Sequence, residues 1–237
     1  FDEAQETFTA RYTHETVALA FAITEEAIED NLYDRLAARY TKALARSMSN
    51  AKQVKAVEPL INGLPSTNTF KSGDGVSLFN TAHTTVAGSF KNTLSTQADL
   101  NETSLEQSMI DIAKMTDERG LRIAARGLKM IIPSELQFTA ERLMKSQGRT
   151  GTADNDINAI VSMGMVPQGY RINNYLTDSD AFYILTDVPN GMKMFTRAPL
   201  NTAMEGDFDT GNVRYKARER YSFGVSDPRG IFGVEGA

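Results

Sequence analysis

The spacing of apolar residues changes several times along this chain, and each change predicts a different element. Between Thr7 and Ile23 the apolar positions recur every second residue. Phe8, Ala10 and Tyr12 come first; after a change of phase near Thr13-His14 come Val17, Leu19, Phe21 and Ile23. Period two with Thr, Tyr, Val and Phe predicts an extended arm or an interrupted strand. The acidic opening from Phe1 to Glu6 predicts a loop tip. Thr24 then predicts an N-cap, with Glu25 and Glu26 where carboxylates favour the helix dipole. Ile28, Leu32, Leu36, Tyr40, Leu44, Met48 and Ala51 follow at helical spacing, and neither proline nor glycine intervenes before Pro59. This predicts one helix from Glu25 to Val57, roughly 50 Å long. A compact ball of this chain length is about 45 Å across, so the pattern predicts an elongated subunit.

Asn62 to Ser104 is rich in Gly, Ser, Thr and Asn and predicts long loops with at most short strands. Thr103 or Ser104 predicts the cap of a helix reaching Met115. Gly127 to Pro133 reads as a buried strand, and Ser134 as the cap of a helix carrying Leu136, Phe138, Ala140, Leu143 and Met144. Ser146 to Asn158 predicts a mobile loop. Short strands are predicted at Tyr170–Asn173, Ala181–Thr186, Met192–Phe195 and Val213–Val225, which makes the fold α+β.

The 237 residues are 41% hydrophobic and 23% charged, which excludes wholesale disorder. No apolar run approaches the roughly 18 residues of a membrane helix. Cysteine is absent, excluding thiolate chemistry and cysteine-ligated zinc. A net charge of -5 makes tight, sequence-independent DNA binding a poor expectation. The start at Phe1, without a signal-peptide pattern, reads as part of a longer polypeptide.

No catalytic, cofactor or metal site assembles from these residues. His83 lacks a ligand or acid at helical spacing and reads as a structural histidine bonded to loop backbone. The pairs Glu25-Glu26, Glu29-Asp30 and Asp117-Glu118 read as solvated helix ends. Gly73-Asp74-Gly75 and Gly148-Arg149-Thr150-Gly151 lack the strand–loop–helix context of a phosphate loop and read as turns. Asp154-Asn155-Asp156 lacks the spacing of a calcium loop. Two basic rows stand out: Arg35, Arg39, Lys42 and Arg46 on the long helix, and Arg214, Lys216, Arg218 and Arg220 alternating along one strand face. Four like charges on a strand face repel unless they meet acidic partners or an anion. A solvated edge strand and an intersubunit surface both fit the second row. The unusual features are those of a protein that contacts copies of itself.

In this order the parts resemble the major capsid proteins of tailed bacteriophages, in particular Mu-like head subunits. The resemblance is carried by Tyr12–Thr16 running into Phe21–Tyr33, by Gly73–His83, by Leu128–Leu143, and by Tyr215–Gly233 with its Ser226-Asp227-Pro228-Arg229-Gly230-Ile231-Phe232-Gly233 ending. It implies the tailed-phage capsid fold, with an extended loop over 1–23, a spine helix of the peripheral domain over 24–62 and peripheral loops and strands over 63–103. An axial domain would occupy 104–200 and closing peripheral strands 201–237. It also implies a non-enzymatic shell subunit that forms hexamers and pentamers of an icosahedral head around double-stranded DNA, held without sequence specificity. Scaffolding and portal proteins are the implied partners, with no membrane and no cofactor, and the implied location is the virion, assembled in the host cytoplasm. The family's first arm and loop strand would precede Phe1. Some relatives crosslink through a lysine on the extended loop, and residues 1–41 hold none. The expected intersubunit contacts are Phe8, Tyr12, Leu19, Phe21, Arg214, Lys216, Arg218 and Arg220. The alternatives are an encapsulin-like cellular nanocompartment shell of the same fold and, more distantly, a hydrolase built around His83.

Overall fold

The computed structural model describes residues 8–30, 33–149 and 156–237. The acidic opening, the Asn31-Leu32 junction, the Arg35 side chain and residues 150–155 of the expected 146–158 loop lie outside the described residues. In chain order the elements are β1 (Glu15–Ile23), α1 (Glu25–Glu29), α2 (Tyr33–Ile61), β2 (His83–Thr85), β3 (Gly88–Phe90), α3 (Glu102–Ala113), β4 (Gly127–Ile132), α4 (Gln137–Lys145), α5 (Ala159–Ser162), β5 (Tyr170–Ile172), β6 (Phe182–Thr186), β7 (Met192–Gly206), β8 (Val213–Val225) and β9 (Ile231–Val234), with a 3-10 turn at Pro228–Gly230. They fall into two compact units. One takes the chain up to Arg11, Val57–Lys193 and Val225–Ala237; the other takes Tyr12–Ala56 and Met194–Gly224.

The first unit is built on a sheet in the order β5-β4-β6-β9, in which β4 runs parallel to β5 and antiparallel to β6. Alternation along β6 sends Phe182 and Ile184 to one face and Tyr183 to the other, and all three are fully buried. On the first face they join Met130, Ile132, Phe232 and Val234 against Leu105, Met109 and Ile112 of α3 and Ala140 and Leu143 of α4. On the second face Tyr183 and Ile231 meet Val57 and Leu60 at the end of α2, together with Leu78 and Phe79. Burial on both faces explains why β6 and β9 read as unbroken apolar runs. The turn after β6 meets the 3-10 turn at Gly191 and Gly230. A Cβ on Gly230 would lie 2.2 Å from the Gly191 Cα, so neither position accepts a side chain.

The second unit is a sheet in the order β1-β8-β7 covered by α2. β1 and β8 pair antiparallel from Glu15 opposite Tyr221 to Ile23 opposite Val213. Val17, Phe21 and Ala217 face Leu44 and Met48 of the helix. Phe21 stacks on Tyr215, with centroids 5.0 Å apart and planes at 13°.

Several expectations are corrected. Residues 8–14 form no strand; the ladder with β8 begins at Glu15, opposite Tyr221. The predicted single helix is two: α1, capped as expected by Thr24, ends at Asp30 before α2 begins. α2 continues past Pro59 to Ile61, where burial of Val57 and Leu60 holds the last turn. α3 is capped by Asn101, not by Thr103 or Ser104; Ser104 is the reciprocal partner in a capping box. α4 starts at Gln137, and Ser134 bonds Glu135 instead of capping. β7 is fifteen residues long, not four, and tolerates Pro199 because it is an edge strand. Residues 63–103 and 225–237 fall in the first unit, where wholly buried β9 pairs with β6.

Asp178 and Asp180 precede β6. Burial, and then the hydrogen bond to Asp180, push the Asp178 carboxyl from 3.8 up to about 6. The folded state therefore holds this proton more tightly than the unfolded chain. Stability from this group is greatest below pH 4 and is lost as pH rises through 6. Asp178→Asn is expected to stabilise the subunit by about 1 kcal/mol at pH 7, after discounting for partial solvation, and to change little at pH 4. Thermal melts at the two pH values check this; equal shifts at both would reject it.

Candidate functional site

β8 sorts its charges by face. Its inward residues Tyr215, Ala217, Glu219 and Tyr221 alternate with exposed Arg214, Lys216, Arg218 and Arg220. The single inward acid, Glu219, is 4% exposed and is held by the Lys52 ammonium of α2, at 2.9 Å from Nζ. The same Nζ lies 5.1 Å from the centre of the Tyr221 ring. On the outer face the register places Arg214, Lys216, Arg218 and Arg220 opposite Ala22, Ala20, Ala18 and Thr16. These small partners leave the cations uncovered.

Arg214 finds its acid within the chain, donating to Asp207. Among the described residues, Lys216, Arg218 and Arg220 form no ion pair. Same-face neighbours on a strand are about 7 Å apart, so each adjacent pair repels by roughly 0.6 kcal/mol before salt screening. This is a cost that an external anion or carboxylate would remove.

The other expected contact residues are not gathered into one patch. Phe8 is 54% exposed and lies beside Gly73 in the first unit. In the second unit Tyr12 meets Phe195 edge-on at 4.7 Å and lies against Gly224. Leu19 is exposed on β1. Phe21 is covered in part by Tyr215 and Tyr40, so its first role is internal packing.

His83 is a structural residue of another kind than the sequence predicts. It is 1% exposed, and its partners include side chains as well as backbone. Nδ1 faces Asp74 Oδ2 at 2.7 Å; Nε2 faces Asn92 Oδ1 at 3.0 Å and the Leu78 carbonyl at 3.2 Å. The Asn92 amide is oriented by donating to the Leu78 and Pro228 carbonyls, which turns its oxygen toward the ring. Phe90 stacks on His83 and carries the Arg229 guanidinium at 4.2 Å, on the Phe90 ring. Arg229 in turn donates to Glu118, Asp227 and the Thr116 carbonyl. The Asp74 partner stands nine residues from His83, a distance no helical or strand spacing would single out. A cleft of about 320 Å³ beside the cluster is lined by Asp74, Phe90, Glu118, Asp227 and Arg229; the His83 ring itself is buried, and among the described residues no group of acids and histidines is arranged to hold a metal.

A chain of Mycobacterium phage Patience superposes with a TM-score of 0.62 at 12% identity, covering 100% of this chain and 76% of that one. The capsid of the myovirus XM1 gives 0.59 at 14%, with 95% and 74% covered. A holo-encapsulin complex from Synechococcus elongatus gives 0.54 at 11%, with 94% and 74% covered. These likenesses establish the fold. No curated protein matches the chain by sequence. The family model described as phage capsid protein matches residues 6–234, and the chain belongs to that family. It is a structural, shell-forming major capsid protein.

Proposed function

We propose that this chain is the head subunit of a Mu-like tailed phage, assembled as hexamers and pentamers around double-stranded DNA, with scaffolding and portal proteins as assembly partners. On this reading α2 is the spine helix, the β1–β8–β7 sheet belongs to the peripheral domain and the four-stranded sheet to the axial domain. The chain performs no catalysis. The observation that carries the reading is the outer face of β8, where Lys216, Arg218 and Arg220 stand opposite alanine and threonine of β1 with no ion pair among the described residues. A subunit that meets copies of itself can neutralise that row at an interface. Phe8, Tyr12 and Leu19 supply apolar area to further contacts between copies.

A cargo-carrying compartment is the second reading, since an encapsulin shares the fold. Particles purified from expressing cells distinguish the two. Nuclease-protected double-stranded DNA inside particles matured with the other head proteins supports the phage reading. Particles that enclose one stoichiometric protein and no nucleic acid would replace it with the compartment.

A further inference from the structure

We propose that the tip of the β7–β8 hairpin is a plug: Phe208 of one copy inserts into an apolar groove between α2 and the sheet of a second copy. The proposal rests on the shell reading above and names one of its contacts. The tip is a built structure. The Asp207 carboxylate accepts from Thr210 Oγ1 and from Arg214, its amide donates to the Asn212 carbonyl at 2.8 Å, and Gly211 donates back to the Asp207 carbonyl at 2.9 Å. Gly211 supplies the left-handed turn, at φ +66°. Phe208 takes no part in this and is fully exposed, at 102%. A loop held in one conformation by polar bonds thus keeps a bare phenyl ring in water. An aromatic side chain buries roughly 150–250 Å² when covered, so the exposure forgoes a large gain that a partner can supply.

The matching cavity is in the same unit. A groove of about 290 Å³ is lined by Phe21, Leu44, Met204 and Tyr215, with Lys216 at its edge. Lys42 follows the lining residue Thr41 along α2 and is exposed. The tip, in contrast, is acidic: Glu205, Asp207 and Asp209 flank Phe208. An apolar knob flanked by acids and an apolar groove that carries Lys216 are complementary in polarity and charge. The carboxylates also oppose nucleic acid as the occupant. Met204 lines the groove while Phe208 stands exposed four residues on, so a copy leaves its own groove unfilled. The contact is therefore head-to-tail, each copy giving a tip and receiving one, and such contacts close into rings when the rotation allows.

The absence of cysteine makes the test direct. Two full-length variants, Phe208→Cys and Thr202→Cys, the latter inside the groove, are assembled together and oxidised as particles. Covalent dimers holding one of each are expected, and neither variant alone should give dimers. Dimers in Phe208→Cys particles alone would mean that tips meet tips and would overturn the proposal. Normal mixed particles without dimers would overturn it too and leave the shell reading standing. An unmodified chain that forms no particles would reject both. Phe208→Ser should leave the subunit's melting temperature unchanged and cut particle yield at least tenfold; unchanged yield counts against the plug.

Discussion

An Asn92→Ala subunit is expected to lose about 3–5 kcal/mol of folding stability. Asn92 is fully buried and joins stretches of chain far apart in sequence. Its Nδ2 donates to the carbonyls of Leu78, at 2.8 Å, and Pro228, at 3.0 Å; its Oδ1 accepts from the Asn80 amide at 2.9 Å and faces His83 Nε2. Alanine would leave the Asn80 amide and the Pro228 carbonyl short of a partner, and the Leu78 carbonyl and His83 Nε2 with only each other. Each unsatisfied buried group costs about 1–3 kcal/mol, and relaxation recovers part of the sum. Asn92→Asp is a sharp comparison, because it keeps the acceptor and turns a second oxygen toward the same carbonyls. Urea unfolding of the isolated subunit measures both variants. A loss under 1 kcal/mol for the alanine would show that the loops around β2 and β3 are held by packing alone.

The second large effect is on assembly. Replacing Lys216, Arg218 and Arg220 together by glutamate is expected to abolish particle formation while moving the subunit's own stability by about 0.5 kcal/mol or less. On the β1 side their cross-strand partners are Ala20, Ala18 and Thr16, and all three side chains are exposed, so no ion pair among the described residues is lost. A glutamine set should give an intermediate yield, since it removes the attraction without adding repulsion. Sedimentation reads the particles and circular dichroism the fold. Loss of fold in step with loss of particles would place the row in the subunit's own architecture; normal particles from the glutamate set would leave it a solvated strand face.

β8 was legible because it obeys a local rule. Polar and apolar residues alternate from Val213 to Tyr221 with the single exception of Glu219, and the strand spans the predicted Val213–Val225. β4 and β6 were legible as apolar runs between turn residues. β7 was not: its exposed positions carry Thr, Asn and Ala with a proline among them, and what makes it a strand is pairing to β8. The break at Asp30 was hidden because no glycine or proline marks it. The His83 cluster was invisible for a similar reason. Asp74, His83 and Asn92 are separated by nine residues at each step, and loops with no periodicity bring them together. Of the expected contact residues, the charged ones stood on one face as the alternation predicted, whereas Phe21 proved to be committed to stacking on Tyr215. Phe208 was passed over, because exposure of a lone aromatic at a hairpin tip depends on where the hairpin ends.

The most direct measurement is light scattering with negative-stain electron microscopy on the full-length chain, across salt and protein concentration. The account predicts closed, uniform particles hundreds of ångströms across, built from this one chain. A folded chain that stays monomeric under all those conditions, including with its assembly partners present, would contradict it.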